Sequence, residues 1–99
     1  MQSHYAAAFQ REMACTQHDW LRWLPCAIGE HSFKSGPGWA YIEIGEGALS
    51  IEWRVAEPRR IALVVMPRLI VNFCFEQLND AQRLVFMRRF DLHMQRGGG

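Results

Sequence analysis

Lysine is nearly absent from this chain, and cysteine is sparse. One lysine, Lys34, stands beside ten arginines. The three cysteines, Cys15, Cys26 and Cys74, are odd in number, which excludes a fully paired disulfide framework and points to reduced thiols in a cytoplasmic setting. No run of about 18 apolar residues is present, so no membrane-spanning helix is expected. The first residues, MQSHYAAAFQREMA, lack a basic segment followed by a long apolar stretch, so no secretory leader is expected. The glycine clusters GPG, GEG and GGG have neither the spacing nor the strand-to-helix context of a phosphate-binding loop. Nothing matches a nucleophile elbow or a cysteine-protease signature. Internal repeats are also missing.

What is present is a large apolar content. Of 99 residues, 49% are hydrophobic, and four are Trp. That excludes intrinsic disorder and suffices for one core, so residues 1–99 are read as a single α+β domain.

Charge is unevenly spread. The net value is +1, but residues 1–57 carry a formal −3 and residues 58–99 a formal +4. The arginine bias could serve anion recognition, but a GC-rich, bacterial coding sequence gives the same bias with no physical cause, and that plainer reading is preferred.

The stretch that organises the rest is RRIALVVMPRLIVNFCF, Arg59 to Phe75. Its odd positions from Ile61 to Phe75 are apolar without a break, the period-2 signature of a strand with one buried face. As one straight strand it would be roughly 55 Å long at ~3.3 Å per residue, too long for a compact chain of this size. A reversal or bend is expected at Pro67, which has no N–H for a ladder. A reversal around Met66–Arg68 gives four strands; a bend gives three.

Upstream, residues 3–14 read as a helix, with Tyr5, Phe9 and Met13 on one face. Thr16 is a candidate N-cap, with Asp19 reaching back, for a turn carrying Trp20, Leu21, Trp23 and Leu24 that Pro25 ends. Residues 29–38, GEHSFKSGPG, have loop composition. WAYIEIGEGALSIEWRV is a hairpin: pairing Ile44 with Leu49, Ile42 with Ile51 and Ala40 with Trp53 makes one apolar face. The other face holds Tyr41, Glu43, Ser50, Glu52 and Arg54. Residues 56–60 read as a connection, and extending the parity places Leu63 and Val65 on the apolar face. Asn79 or Asp80 caps a last helix that the terminal glycines end. On it Ala81, Leu84, Val85 and Leu92 lie on one side, and Phe86, Met87, Phe90 and Met94 nearly opposite.

The fold expected is a two-layer α+β sandwich, an antiparallel four-stranded meander with N- and C-terminal helices on one face. Cys15-x2-His18 and Cys26-x4-His31 have zinc-ligand spacing, but the ample core argues against a metal-dependent fold, and no metal or cofactor is expected. Glu43 and Glu52 share an exposed sheet face without the desolvation that tunes an acid–base pair. No catalytic residue is assigned, and the chain is read as leaning non-enzymatic.

Three functional readings remain. The first is a cytoplasmic interaction module that self-associates as a homodimer or binds a protein partner. Its motive is surplus apolar surface, at Val64, Met66 and Ile70 on the strands and Phe86, Phe90 and Met94 on the last helix. The second is a small-molecule pocket walled by Trp23, Phe33 and Trp39, with Cys26 or His31 as the polar group. The third is weak nucleic-acid binding through Arg59, Arg60, Arg68, Arg83, Arg88, Arg89 and Arg96; the four on the last helix do not form one stripe, and the acidic first half opposes a phosphate backbone.

Overall fold

Alternating side chains give this chain a twisted antiparallel sheet, and two apolar helix faces cover one side of it. The computed structural model describes residues 4–98, with side chains through residue 95. In chain order the elements are β1 (Ala8–Met13), α1 (Gln17–Ile28), β2 (Phe33–Gly36), β3 (Trp39–Ile44), β4 (Gly47–Ile61), β5 (Val64–Glu76) and α2 (Asp80–Gly98). The sheet order is β1-β5-β4-β3-β2, every neighbouring pair antiparallel. The two-layer α+β architecture is as the pattern implies, but the sheet has five strands instead of four. Among the described residues no helix is long and apolar enough to cross a membrane.

The expected helix over residues 3–14 is instead β1, which pairs Phe9 with Phe73 and Arg11 with Val71. Residue 3 itself lies outside the described residues. Phe9 and Met13 pack against the core, and Phe9 stacks on Phe73 at 4.7 Å between ring centroids. Spacing of four serves a helix face and, being even, a strand face equally well. Here the unpaired edge of β5 decides in favour of the strand.

Thr16 caps α1 as read: its Oγ1 accepts from the Asp19 N–H at 3.1 Å. Pro25 does not end that helix, which continues to Ile28 and closes with the Gly29 N–H on the Pro25 carbonyl at 3.1 Å. A proline inside a helix costs about 3 kcal/mol; completely buried Ala27 and Ile28 repay the extra turn.

The segment read as a loop, residues 29–38, contains β2, joined to β3 by the two-residue turn Pro37–Gly38. Gly38 has φ +80°, the proline-then-glycine order of a type II turn.

In the next hairpin Ile42 pairs with Leu49 and Ala40 with Ile51, two residues away from the register expected. A slip of two preserves parity, so the same residues face the core. The turn is the two-residue Gly45–Glu46, with Gly45 at φ +57°, which suits glycine at the first central position.

Residues 56–60 are not a connection, because β4 runs through them. The chain reverses at Ala62–Leu63, not around Pro67, so β5 is one strand through Pro67 with an irregular partner. Trp53 pairs with Val71 and Val55 with Leu69. Leu63 and Val65, placed by parity in the core, are 100% and 52% exposed.

One cluster joins the sheet to both helices: Trp20, Leu24, Ala27 and Ile28 of α1; Phe86, Met87, Phe90 and Met94 of α2; and Ile42, Leu49, Ile51, Trp53, Leu69, Val71 and Phe73 of the sheet. Phe90 sits edge-on to Phe73 at 5.7 Å and to Trp20 at 6.1 Å. Asn79 and Gln82 exchange backbone-to-side-chain bonds of 2.9 and 2.8 Å, a reciprocal capping box that starts α2. The helix continues through the first terminal glycines to Gly98.

Candidate functional site

The strands of this sheet differ greatly in length. β4 has 15 residues and β5 has 13, against six in β3 and six in β1. β3 begins at Trp39, opposite Glu52, and β1 ends at Met13, opposite Leu69. Past both points, among the described residues, β4 and β5 pair only with each other, so residues 56–68 form a two-stranded ribbon in a molecule 47 × 29 × 21 Å. Both outer edges of the ribbon carry unpaired backbone groups, a surface proteins normally cover or blunt.

A register break forms the base of the ribbon. Ala56 pairs with Arg68 and Arg59 with Met66, leaving Glu57 and Pro58 opposite Pro67 alone, a β-bulge. Both prolines thus sit where ladder bonds are already missing. Arg68 fastens the bulge, donating from Nη1 to the Glu57 carbonyl at 3.1 Å and from Nε to Glu12 Oε1 at 2.9 Å. Arg59 reaches the same carboxylate at 3.1 Å. Chiefly through the Arg68 hydrogen bond, with the charges of Arg59 and Arg68 adding to it, the Glu12 carboxyl is held below its usual range. β1 therefore anchors the ribbon at one residue.

Beyond the bulge the ribbon exposes aliphatic side chains beside Arg59 and Arg60: Ile61 is 58% exposed, Val64 56%, Val65 52% and Met66 38%, and before the bulge Val55 is 65% exposed. At the tip Ala62 takes φ +54°, a conformation L side chains adopt at a cost of roughly 1–2 kcal/mol.

The helix-free face of the sheet continues this surface. Cross-strand pairing places Glu43, Ala48 and Glu76 in one row, Lys34, Tyr41, Ser50 and Cys74 in the next, and Trp39, Glu52, Asn72 and Gln10 in a third. Arg54, Ile70 and Glu12 follow, then Arg68, then Arg59 with Met66, and last Ile61 with Val64. The face is acidic at the β3–β4 turn and basic toward the ribbon. Among the described residues, Glu43, Glu46, Glu52, Glu76 and Arg54 have no ion-pair partner within the molecule.

No protein-family model matches the chain, and no curated protein matches it in sequence. The surface has to be read from its own chemistry.

The residues expected to wall a small-molecule pocket do not converge. Trp39 lies on the helix-free face, its indole over Gly36, whereas Phe33 pairs with core-facing Ile42. Trp23 packs against the core from α1, and Cys26 is exposed on that helix. His31 is apart from these, its ring 5.5 Å from Phe86. It lines an open depression of about 280 Å³ with Ile44, Ala81, Gln82, Val85 and Phe86. Among the described residues no three His, Cys, Asp or Glu side chains cluster as metal ligands would.

Of the expected interface residues, Val64 and Met66 are exposed, while Ile70 is 8% exposed. Phe86, Phe90 and Met94 are core residues; the helix side left over is the other one, with Val85 73% and Leu92 47% exposed. The angular separation of the two helix sides was legible, but not which would meet the sheet. Of the arginines, Arg83 is engaged internally with the carbonyls of Tyr5 and Leu78 and with Asp80, and the Arg96 side chain lies outside those described. Sequence reasoning missed the Glu12–Arg59–Arg68 anchor and the exposed positions Val55, Ile61, Leu63 and Val65. The signal available was apolar alternation longer than any neighbouring strand could cover.

Proposed function

We propose that this chain is a non-catalytic interaction module whose working surface is the β4–β5 ribbon and the helix-free sheet face that continues it. The observation that carries this reading is exposed aliphatic surface on both faces of the ribbon, Ile61, Val64 and Met66 on the helix-free face and Val55 and Val65 on the other, covered by no other element among the described residues. A two-stranded hairpin is marginal in water by itself, and contiguous exposed apolar surface of this kind marks contact sites. Aromatic, Met and Arg side chains, here Trp39, Tyr41, Met66, Arg54, Arg59 and Arg68, are the types enriched at protein interfaces.

A photo-reactive residue in place of Leu63, expressed in the full chain in cells, tests the reading. A discrete polypeptide adduct is expected, diminished when Val65→Asp is added and absent with the same group at exposed Gln17. No adduct from position 63 overturns it.

The His31–Phe86 depression supports a second reading, binding of a small apolar molecule, because its lining is almost wholly apolar. Thermal stabilisation by a member of a metabolite panel, lost in Val85→Asp, is the expected result.

A further inference from the structure

We infer that the partner on the helix-free face is a second copy of this chain, laid face to face with its strands running in the opposite direction. The inference rests on the interaction-module reading and adds the identity of the partner. Its basis is a gradient of charge along a single face. The acidic end holds Glu43 and Glu76 in one row, with Glu46 in the adjoining turn and Glu52 two rows on, against one cation, Lys34, in the Tyr41 row. The ribbon end holds Arg54, Arg59 and Arg68, the last two sharing the carboxylate of Glu12, with Glu57 at the bulge between them. A surface acidic at one end and basic at the other complements itself when a two-fold axis reverses it. Glu43 and Glu76 of each copy then oppose the arginine rows of the other, and like charges meet only if the copies run the same way.

The apolar content of the face fits the same arrangement. Between the charged ends lie Tyr41 and Trp39, and beside and past the arginines lie Met66, Ile61 and Val64. Size is sufficient too: the molecule is 47 Å long and 29 Å across, room for the roughly 800 Å² per partner of a standard interface. Each ribbon would gain a packing surface where its arginine rows meet the partner's sheet, which an isolated hairpin lacks.

The test uses the full chain and its own thiols. Cys74 lies on the inferred interface, in the Tyr41–Ser50 row, whereas Cys26 is exposed on α1, on the other side of the molecule. Alkylation is followed from nanomolar to high micromolar protein, with mass by sedimentation velocity in parallel. Slowing of Cys74 relative to Cys26 is expected over the same concentration range in which the mass doubles. Arg54→Glu and Glu43→Arg should each weaken the dimer by about tenfold or more, and the two in one chain should restore it, because the reversed charges again face each other.

Unchanged circular dichroism and slow alkylation of buried Cys15 show that each variant is folded. A monomer at high micromolar concentration overturns the inference, as does a dimer in which Cys74 stays reactive or the double variant is no tighter than the singles. If the Leu63 adduct forms with a different protein, the interaction reading stands and the self-pairing fails. If no adduct forms, both fail.

Discussion

Arg11 sits 5.1 Å from the Phe73 ring centroid and donates a 2.6 Å hydrogen bond from Nη1 to Asp91 Oδ1. The contact ties β1 to α2 across the edge of the core. Tyr5 adds its hydroxyl, donating to Asp91 Oδ2 at 2.5 Å. One carboxylate on α2 thus serves two donors from the start of the chain.

Asp91→Asn should destabilise the protein by about 1–3 kcal/mol, since the half-buried Arg11 loses its counter-charge and Tyr5 an ionised acceptor. Both partners are only about one-fifth exposed, 22% and 21%, so solvent does not fully replace the pair. Urea midpoints check this; a loss under about 0.5 kcal/mol, the range of ordinary surface substitutions, would place the pair among them.

The same contact predicts an alkaline effect. Burial, then the hydrogen bond to Asp91 and its charge, push the Tyr5 hydroxyl up to about 12 from its ordinary 10.0. The folded state therefore retains a proton that the unfolded chain releases. This contribution is fully present below about pH 10 and is lost as pH rises toward 12. Urea titrations at pH 9, 10 and 11 should show a steeper decline in the natural chain than in Tyr5→Phe.

Thiol chemistry should separate the cysteines in two groups. Burial, reinforced by the charge of Asp19, pushes the Cys15 thiol up, and the side chain is 5% exposed. Cys26 and Cys74 are exposed. At dilute protein and neutral pH, two thiols should react rapidly with a chromogenic disulfide, and the third only at the rate of opening. Mass mapping that finds Cys15 among the fast pair would contradict the packing of the β1–α1 corner.

The two turns of β4 should respond oppositely to substitution. A Cβ on Gly47 would lie 2.3 Å from the Glu76 carbonyl oxygen and 2.7 Å from that of Gln77, so Gly47→Ala should cost about 1–3 kcal/mol by overpacking. Ala62, at φ +54°, occupies a conformation natural to glycine, so Ala62→Gly should relieve about 1 kcal/mol of strain. Thermal melting reads the first. Slower amide exchange between Arg60 and Val65 reads the second.

Parity was legible in the residues themselves. Ile42, Ile51, Trp53, Val71 and Phe73 all meet the helices although the register of the Gly45 hairpin differs by two and the Ile61–Val64 reversal lies elsewhere, because an even shift leaves every side chain on its own face. The caps at Thr16 and Asn79 were legible for a related reason: both bonds span three residues. Of the residues expected on the candidate surface, Val64 and Met66 are exposed, whereas Ile70, Phe86, Phe90 and Met94 are buried; a helix with two apolar sides carries no local mark of which one faces inward.

Local order, then, was enough to specify the alternating faces, the helix starts and a two-layer α+β domain, all set by contacts among near neighbours in the chain. Tertiary structure alone made residues 8–13 a strand, carried α1 past Pro25 and, among the described residues, left 56–68 without flanking strands. Each of those outcomes depends on a partner far away in sequence. Strand pairing is a relation between two segments, and apolar alternation in one of them cannot say where the other ends.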